Sequence, residues 1–314
     1  MHSSHFQIGG FVVEAAGEHC FDVALDYSLE LFRVRATAPD IRIQIERTAR
    51  LGDASQPHLF DSGSVWRLCE HDTDLRFDFS TPAMGASPYK QLLVDHKFCN
   101  ARLLVNKHAS GPKTKGPAPL DYPLDELLIM HRLTQEKAIE LHGCGIVQAD
   151  GLGTLFVGHS GAGKSTTTRL WTSSQDVEVL SDDRIILRRD DESKKQVPRF
   201  ARNDNPFGNE DNQQSNIRMY GTPWHGEAMY ASPNSAPLAR ILILEHGHGN
   251  VLTPLSPSEA VAELFARSFV PFHRHEYVDS ALAFLEEVVD AVPVYHYAFE
   301  PDQRAVDTIL NLHD

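Results

Sequence analysis

The chain has 314 residues, 41% hydrophobic and 23% charged, the balance of an ordinary globular protein of about two domains. Its 29 basic and 43 acidic residues leave a formal charge of −14, which argues against a dedicated nucleic-acid binder. No run reaches the roughly 18 apolar residues of a membrane span, and Met1-His2-Ser3-Ser4-His5 lacks the pattern of a secretory signal. The four cysteines (Cys20, Cys69, Cys99, Cys144) form no CxxC pair, which fits reduced thiols and a cytoplasmic location.

Residues 1–107 read as a β-rich domain. Ile41-Arg42-Ile43-Gln44-Ile45-Glu46 alternates as a half-buried strand does. Leu75-Arg76-Phe77-Asp78-Phe79 repeats the pattern after the polar turn His71-Asp72-Thr73-Asp74, and Leu92–Val94 and Leu103–Val105 are further short apolar runs. No catalytic cluster stands out here. Residues 108–118 are rich in Gly, Pro and Lys and read as a linker. Residues 119–314 then form the second domain. Pro123-Leu124-Asp125-Glu126 opens a helix expected to run to about Ala138. Strands are predicted at Ile139–Val147, Thr154–Val157, Val177–Leu180, Ile185–Leu187 and Ile241–Leu244. Helices are predicted near Ser258–Ser268, Ser280–Val289 and Pro301–Leu312.

The decisive motif follows the second of these strands. Gly158-His159-Ser160-Gly161-Ala162-Gly163-Lys164-Ser165 matches G-x-x-x-x-G-K-[ST] at every fixed position, between a predicted strand and a segment from Ser165 able to start a helix. Glycines let successive N–H groups converge on one anion, and the helix start adds unpaired donors. The nucleotide-binding set is therefore Gly158, Ser160, Gly161, Ala162, Gly163, Lys164, Ser165 and Thr166. Lys164 is the cation for the β- and γ-phosphates, and the Ser165 hydroxyl is a candidate Mg²⁺ ligand. His159 occupies a variable position and reads as an exposed loop side chain.

Ser181-Asp182-Asp183-Arg184 begins at the end of the strand after that helix, so the acids return beside the loop. One carboxylate can hold a metal and one can accept a proton. Adjacent strand residues point to opposite sides, so both serve only if the strand ends or bulges there. His142 precedes the loop strand, and a pairing of its own strand with that one would carry it toward the phosphates.

Leu141-His142-Gly143 with Ile146-Val147, then the phosphate loop, then Leu180-Ser181-Asp182-Asp183-Arg184-Ile185 resembles the catalytic domain of HPr kinase/phosphorylase in order and spacing. Gly221-Thr222-Pro223-Trp224-His225-Gly226-Glu227, and Ala236-Pro237-Leu238 with Ile241–Glu245, look more like the HPr-kinase-related branch, which includes kinases near peptide-modification clusters. The resemblance covers roughly residues 119–312. It implies an α/β fold with α+β elements: a P-loop catalytic domain like that of HPr kinase and phosphoenolpyruvate carboxykinase, preceded by a smaller β-rich domain. It also implies ATP and Mg²⁺ as cofactors, Asp182 as the base on an acceptor hydroxyl, His142 as a neighbour that orients Asp182 or the phosphoryl group, and Asp183 with Ser165 at the metal. The family's Glu-Ile-Arg-Gly signature corresponds here to Asn216-Ile217-Arg218-Met219. An amide thus replaces a glutamate that helps at the metal, and Glu227 is the candidate substitute. The related enzymes often form rings, which makes a homo-oligomer a candidate assembly.

Other features read more plainly. Glu245-His246-Gly247-His248 and His273-Arg274-His275-Glu276 lack metal-ligand spacing and read as solvated loops. Trp224 reads as core packing, with stacking on a base or packing of a lid as the alternatives. The mixed-charge run Arg188–Lys195 reads as a hairpin tip. The expected activity is transfer of the γ-phosphoryl group of ATP to a hydroxyl, most plausibly serine on a small protein or peptide. A metabolite or sugar kinase and a nucleotide-binding regulatory module are the alternatives. Specificity is expected in the N-terminal half and in Arg199–Tyr230.

Overall fold

The computed structural model describes residues 1–53, 57–108, 118–190 and 216–312. The predicted linker lies outside the described residues except at its ends. So do the predicted hairpin tip beyond Asp190 and the first part of Arg199–Tyr230, up to residue 215. The chain forms two compact units, Met1–Glu136 with Val270–Val278, and Lys137–Phe269 with Asp279–Asp314.

The first unit holds β1 (His2–Ile8), β2 (Phe11–Gly17), the single turn α1 (Tyr27–Glu30), β3 (Ile41–Thr48), β4 (Phe60–Asp61), β5 (Trp66–His71), β6 (Asp74–Thr81), β7 (Gly85–Val94), β8 (Asn100–Asn106) and α2 (Leu124–Leu133). The eight strands make one sheet in the order β1-β2-β3-β8-β7-β6-β5-β4. The alternation of β3 does what a period of two requires: Ile41, Ile43 and Ile45 are buried while Arg42 faces solvent. Helix α2 buries Leu124, Leu127, Leu128 and Leu133, and its His131 stacks on Phe98 at 4.7 Å between ring centroids.

The second unit holds β9 (Ala138–Val147), β10 (Gly153–Val157), α3 (Lys164–Ser174), β11 (Glu178–Ser181), β12 (Arg184–Arg189), β13 (Ile217–Tyr220), β14 (Ser235–His246), β15 (Val251–Pro254), α4 (Pro257–Phe265), β16 (Ser268–Phe269), α5 (His275–Ala291), β17 (Val294–Phe299) and α6 (Gln303–Leu310). The main strand path runs β10-β9-β12-β13-β14-β17-β15. Because β10 also pairs with β14, in parallel, the path β9-β12-β13-β14-β10 closes on itself. Trp171 of α3, Phe156 of β10, Leu242 of β14 and Ile309 of α6 share one buried cluster. Burying an aromatic of this size is worth about 3 kcal/mol, so α3 is held by its apolar face and not by its threonine-rich, β-branched first turn.

This arrangement overturns the expected fold class. An α/β P-loop domain of the HPr kinase and phosphoenolpyruvate carboxykinase kind, behind a smaller β-rich domain, is not what forms. Strand takes 40% and helix 24% of the described residues, in large sheets and a closed strand path. The physical reason lies in two long strands. β9 is buried on both faces and pairs with β10, β11, β12 and β16. β14 spans twelve residues where the apolar run suggests four, and it pairs with β10, β13 and β17. Strand length and partner number are set by the whole sheet, and local periodicity does not report them. Helix α2 likewise ends at Leu133, short of Ala138, which opens β9. Among the described residues, no helix is long and apolar enough to cross a membrane.

Candidate active site

The site grows from the register of β9. Val157 of β10 lies opposite Gly143, so the first loop residue falls beside His142, and the Gly158 N–H donates to the His142 carbonyl at 3.3 Å. On the other side of β9, Arg184 lies opposite His142, and the Gly143 N–H donates to the Asp183 carbonyl at 3.0 Å. One point on one strand therefore carries the glycine-rich loop on one edge and the acidic turn on the other. Burial along β9 is otherwise nearly continuous; His142 is the half-exposed break within it.

The loop has the geometry of an anion cradle. Gly161 and Gly163 have φ of +83° and +104°, a region that costs any residue with a Cβ about 1 kcal/mol or more. Gly163 also lies against the Phe299 ring, with no room for a side chain. As the cap of α3, Gly163 has no side-chain acceptor for the first amides of the helix, including those of Lys164, Ser165 and Thr166. These amides and the helix dipole suit a phosphate. The Lys164 ammonium rests on the carbonyls of Gly158 (2.9 Å) and His159 (3.2 Å). Burial pushes its pKa below the usual lysine value, against the opposing pull of Asp183. An arriving polyanion would relieve that cost. Ser160 and His159 are exposed, while Ala162, Ser165 and Thr166 are half-buried.

The two aspartates take different partners, although the charges of both act on Lys164. β11 ends at Ser181 and β12 starts at Arg184, so Asp182 and Asp183 form the turn between them, capped by the Ser181 hydroxyl, which accepts from the amides of Asp183 and Arg184. Asp182 turns inward and is 2% exposed. Its carboxylate accepts three backbone N–H groups, from Gly226 (2.9 Å), Ala228 (2.9 Å) and Tyr230 (3.2 Å). It is the anchor of the 222–230 loop. Asp183 turns to the loop side. Its Oδ1 accepts from His142 Nε2 at 2.8 Å, and its Oδ2 pairs with the Arg184 guanidinium. Arg184 in turn lies 3.5 Å from buried Glu140 and stacks over Phe269, 4.0 Å from the ring centroid. Burial pushes the Asp183 carboxyl up, but the His142 bond and the charges of Arg184 and Lys164 outweigh it and hold the group below the usual carboxylate range. Asp183 is thus ionised at any physiological pH and feels Lys164 electrostatically.

The groups present fit a magnesium nucleotide. Mg²⁺ is commonly held by one or two carboxylates and a hydroxyl together with phosphate oxygens, and Asp183 and Ser165 are of that kind. Among the described residues there is no group of three or more His, Cys, Asp and Glu that could hold a metal by itself, which is the arrangement a dedicated transition-metal site would need. Cys144, beneath the loop, bonds to Thr168 at 3.0 Å, and burial pushes its thiol up to about 12, so it is no nucleophile. Asn216, Ile217, Arg218 and Met219 enter β13; Arg218 pairs with Asp190 at 3.3 Å. Glu227 is exposed, between two of the residues that Asp182 tethers. Trp224 is buried.

Two residues have roles the motif reading did not assign. Arg184 carries the pairing of Asp183. His246, read as a solvated loop residue, donates from Nε2 to the Gly161 carbonyl at 2.8 Å. The sequence shows only that His246 follows the apolar run Ile241–Leu244; that this strand runs parallel to β10 and ends beside the loop is set by the fold. No protein-family model matches this chain, and no curated protein matches it. What the site does is therefore argued from its own chemistry.

Proposed function

We propose that the chain is an ATP- and Mg²⁺-dependent phosphotransferase that moves the γ-phosphoryl group to a hydroxyl, most plausibly serine of a small protein or peptide. The observation that carries this reading is Asp183, held by His142 and Arg184 on the loop side, within the electrostatic reach of Lys164. Mere nucleotide binding needs no such oriented carboxylate. The loop amides and Lys164 hold the phosphates. Bound Mg²⁺ would neutralise charge developing on the phosphate oxygens, with Ser165 and Asp183 as the protein groups able to meet it. Asp183 orients the acceptor hydroxyl, and the Asp183–His142 pair takes its proton. A carboxylate held below its usual pKa is a weak base. Phosphoryl transfer through a loose transition state asks more for positioning than for basicity, so this is no obstacle. Asp182, fully engaged by three amides, shapes the 222–230 loop instead of taking the proton. The polypeptide acceptor follows from the motif order that resembles HPr kinase/phosphorylase. The cytoplasm is the compartment this reading assigns, in keeping with four free cysteines.

The test is transfer from γ-labelled ATP into a lysate of the source cells, with wild type, Lys164→Ala and Asp183→Asn side by side. A labelled polypeptide band that disappears with both variants is the expected result. Label in small molecules alone makes the protein a metabolite kinase. ATP binding without wild-type-dependent label overturns the phosphotransferase and leaves a regulatory module.

A further inference from the structure

We propose that His246 is a positioning residue that holds the phosphate loop in its anion-ready shape. The proposal deepens the nucleotide-site reading above and rests on it for its effect on ATP.

A loop that turns its N–H groups toward an anion turns carbonyls the other way, where a protein donor or water must meet each of them. In this loop the Gly158 and His159 carbonyls are met by Lys164, and the His159 carbonyl also by the Ala162 amide at 3.0 Å. The Gly161 carbonyl belongs to the residue with φ of +83°, at the sharpest part of the turn. Its donor is His246 Nε2–H at 2.8 Å. The His246 ring is exposed and rests on a neighbouring ring. It stacks on Phe299 with 5.9 Å between centroids and 24° between planes, and the two residues are register partners in the parallel pair β14–β17. Phe299 is buried, stacks in turn on Tyr297, and presses against Gly163. The Tyr297 hydroxyl donates to the Ala305 carbonyl of α6 at 2.9 Å. Two adjacent rings therefore grip both positive-φ glycines of the loop, one by a hydrogen bond and one by contact. The grip is on the outer side, leaving the amides of the first helical turn for the ligand.

The chemistry of the donor separates two roles of the ring. Glutamine can offer an N–H to Gly161 without the ring. Phenylalanine keeps the stack and offers no donor. Two measurements follow. In the nucleotide-free protein, amide hydrogen exchange in the peptide spanning 157–165 reads the loop itself. Exchange there is expected to be faster in His246→Ala and His246→Phe and near wild type in His246→Gln. With MgATP, His246→Ala and His246→Phe are expected to raise KM and Kd for ATP about 3- to 10-fold, the worth of one hydrogen bond, with kcat within about twofold. His246→Gln restores most of the affinity. Unchanged exchange in His246→Ala overturns the positioning role, and so does a loss of kcat with KM intact. If exchange responds as expected but wild type binds no MgATP, the loop clamp stands and the nucleotide reading falls.

Discussion

Asp78 in the first unit and Asp183 in the second are each paired with an arginine, and their surroundings differ. In the first unit Asp78 faces Arg76 across 2.9 Å, with side-chain exposures of 3% and 2%. Gln91 donates to Asp78 at 2.7 Å and to the Gly52 carbonyl at 3.0 Å, and Arg76 also donates to the Asp53 carbonyl at 2.8 Å. Each charge is closed off by partners. In the second unit Asp183 also has an arginine, but its other partner is His142, and these two are 26% and 21% exposed. The first cluster is shut off from solvent inside the fold, although Arg76 Nε finds no hydrogen-bond partner there. The second keeps a face toward the phosphate loop. A buried pair closed on all sides serves packing, while a pair held equally firmly but left open on one side is placed to act on something else.

The largest expected effect breaks the open cluster. Asp183→Asn should lower transfer on the order of 10²- to 10⁴-fold, with a smaller loss of MgATP affinity from the missing metal-facing charge, measured by steady-state kinetics and nucleotide titration. Its neighbour sharpens the contrast. Asp182→Asn keeps one acceptor oxygen and turns a donor toward amides that need acceptors, so it should cost about 1–3 kcal/mol of stability and raise KM for the acceptor before that for ATP. If Asp182→Asn abolished transfer in a folded protein and Asp183→Asn did not, the assignment of the two aspartates would be reversed.

Breaking the closed cluster should cost stability and no specific catalytic step. Asp78→Ala leaves the Arg76 guanidinium buried without its carboxylate, at about 3–5 kcal/mol in urea unfolding. A variant of wild-type stability would show that water reaches Arg76.

A smaller effect comes from the buried histidine of the first unit. Burial pushes His131 down to about 3, helped by His273 and Arg274 and opposed by its bond to the Leu127 carbonyl. The unfolded chain takes up this proton near pH 6.5, and the folded one does not until about pH 3. Stability therefore falls as pH drops through that window, by at most about 1.4 kcal/mol per pH unit from this group. His131→Leu should flatten the slope of unfolding free energy between pH 6.5 and 4.5; an unchanged slope would mean that the folded protein protonates there too. His273, pushed by burial to about 4, would keep part of the slope in the variant.

The glycine-rich loop Gly158–Ser165, between a strand and a helix, is legible in the sequence because its backbone demands are local. Glycines at Gly161 and Gly163, a lysine and a hydroxyl at fixed spacing, and a strand before them are all that an anion cradle requires, and neighbours along the chain supply them. Strands such as Ile41–Glu46 and Leu75–Phe79 are legible for a similar reason, since one buried face imposes a period of two. The tertiary structure alone decided three things. It set the fold class, because how many partners β9 and β14 take depends on the whole sheet. It divided the labour of Asp182 and Asp183, because the amides that claim Asp182 lie more than forty residues further along the chain. It recruited His246 and Arg184, because a carbonyl or carboxylate that needs a partner takes whichever donor the fold brings within about 3 Å, however far away that donor lies in sequence.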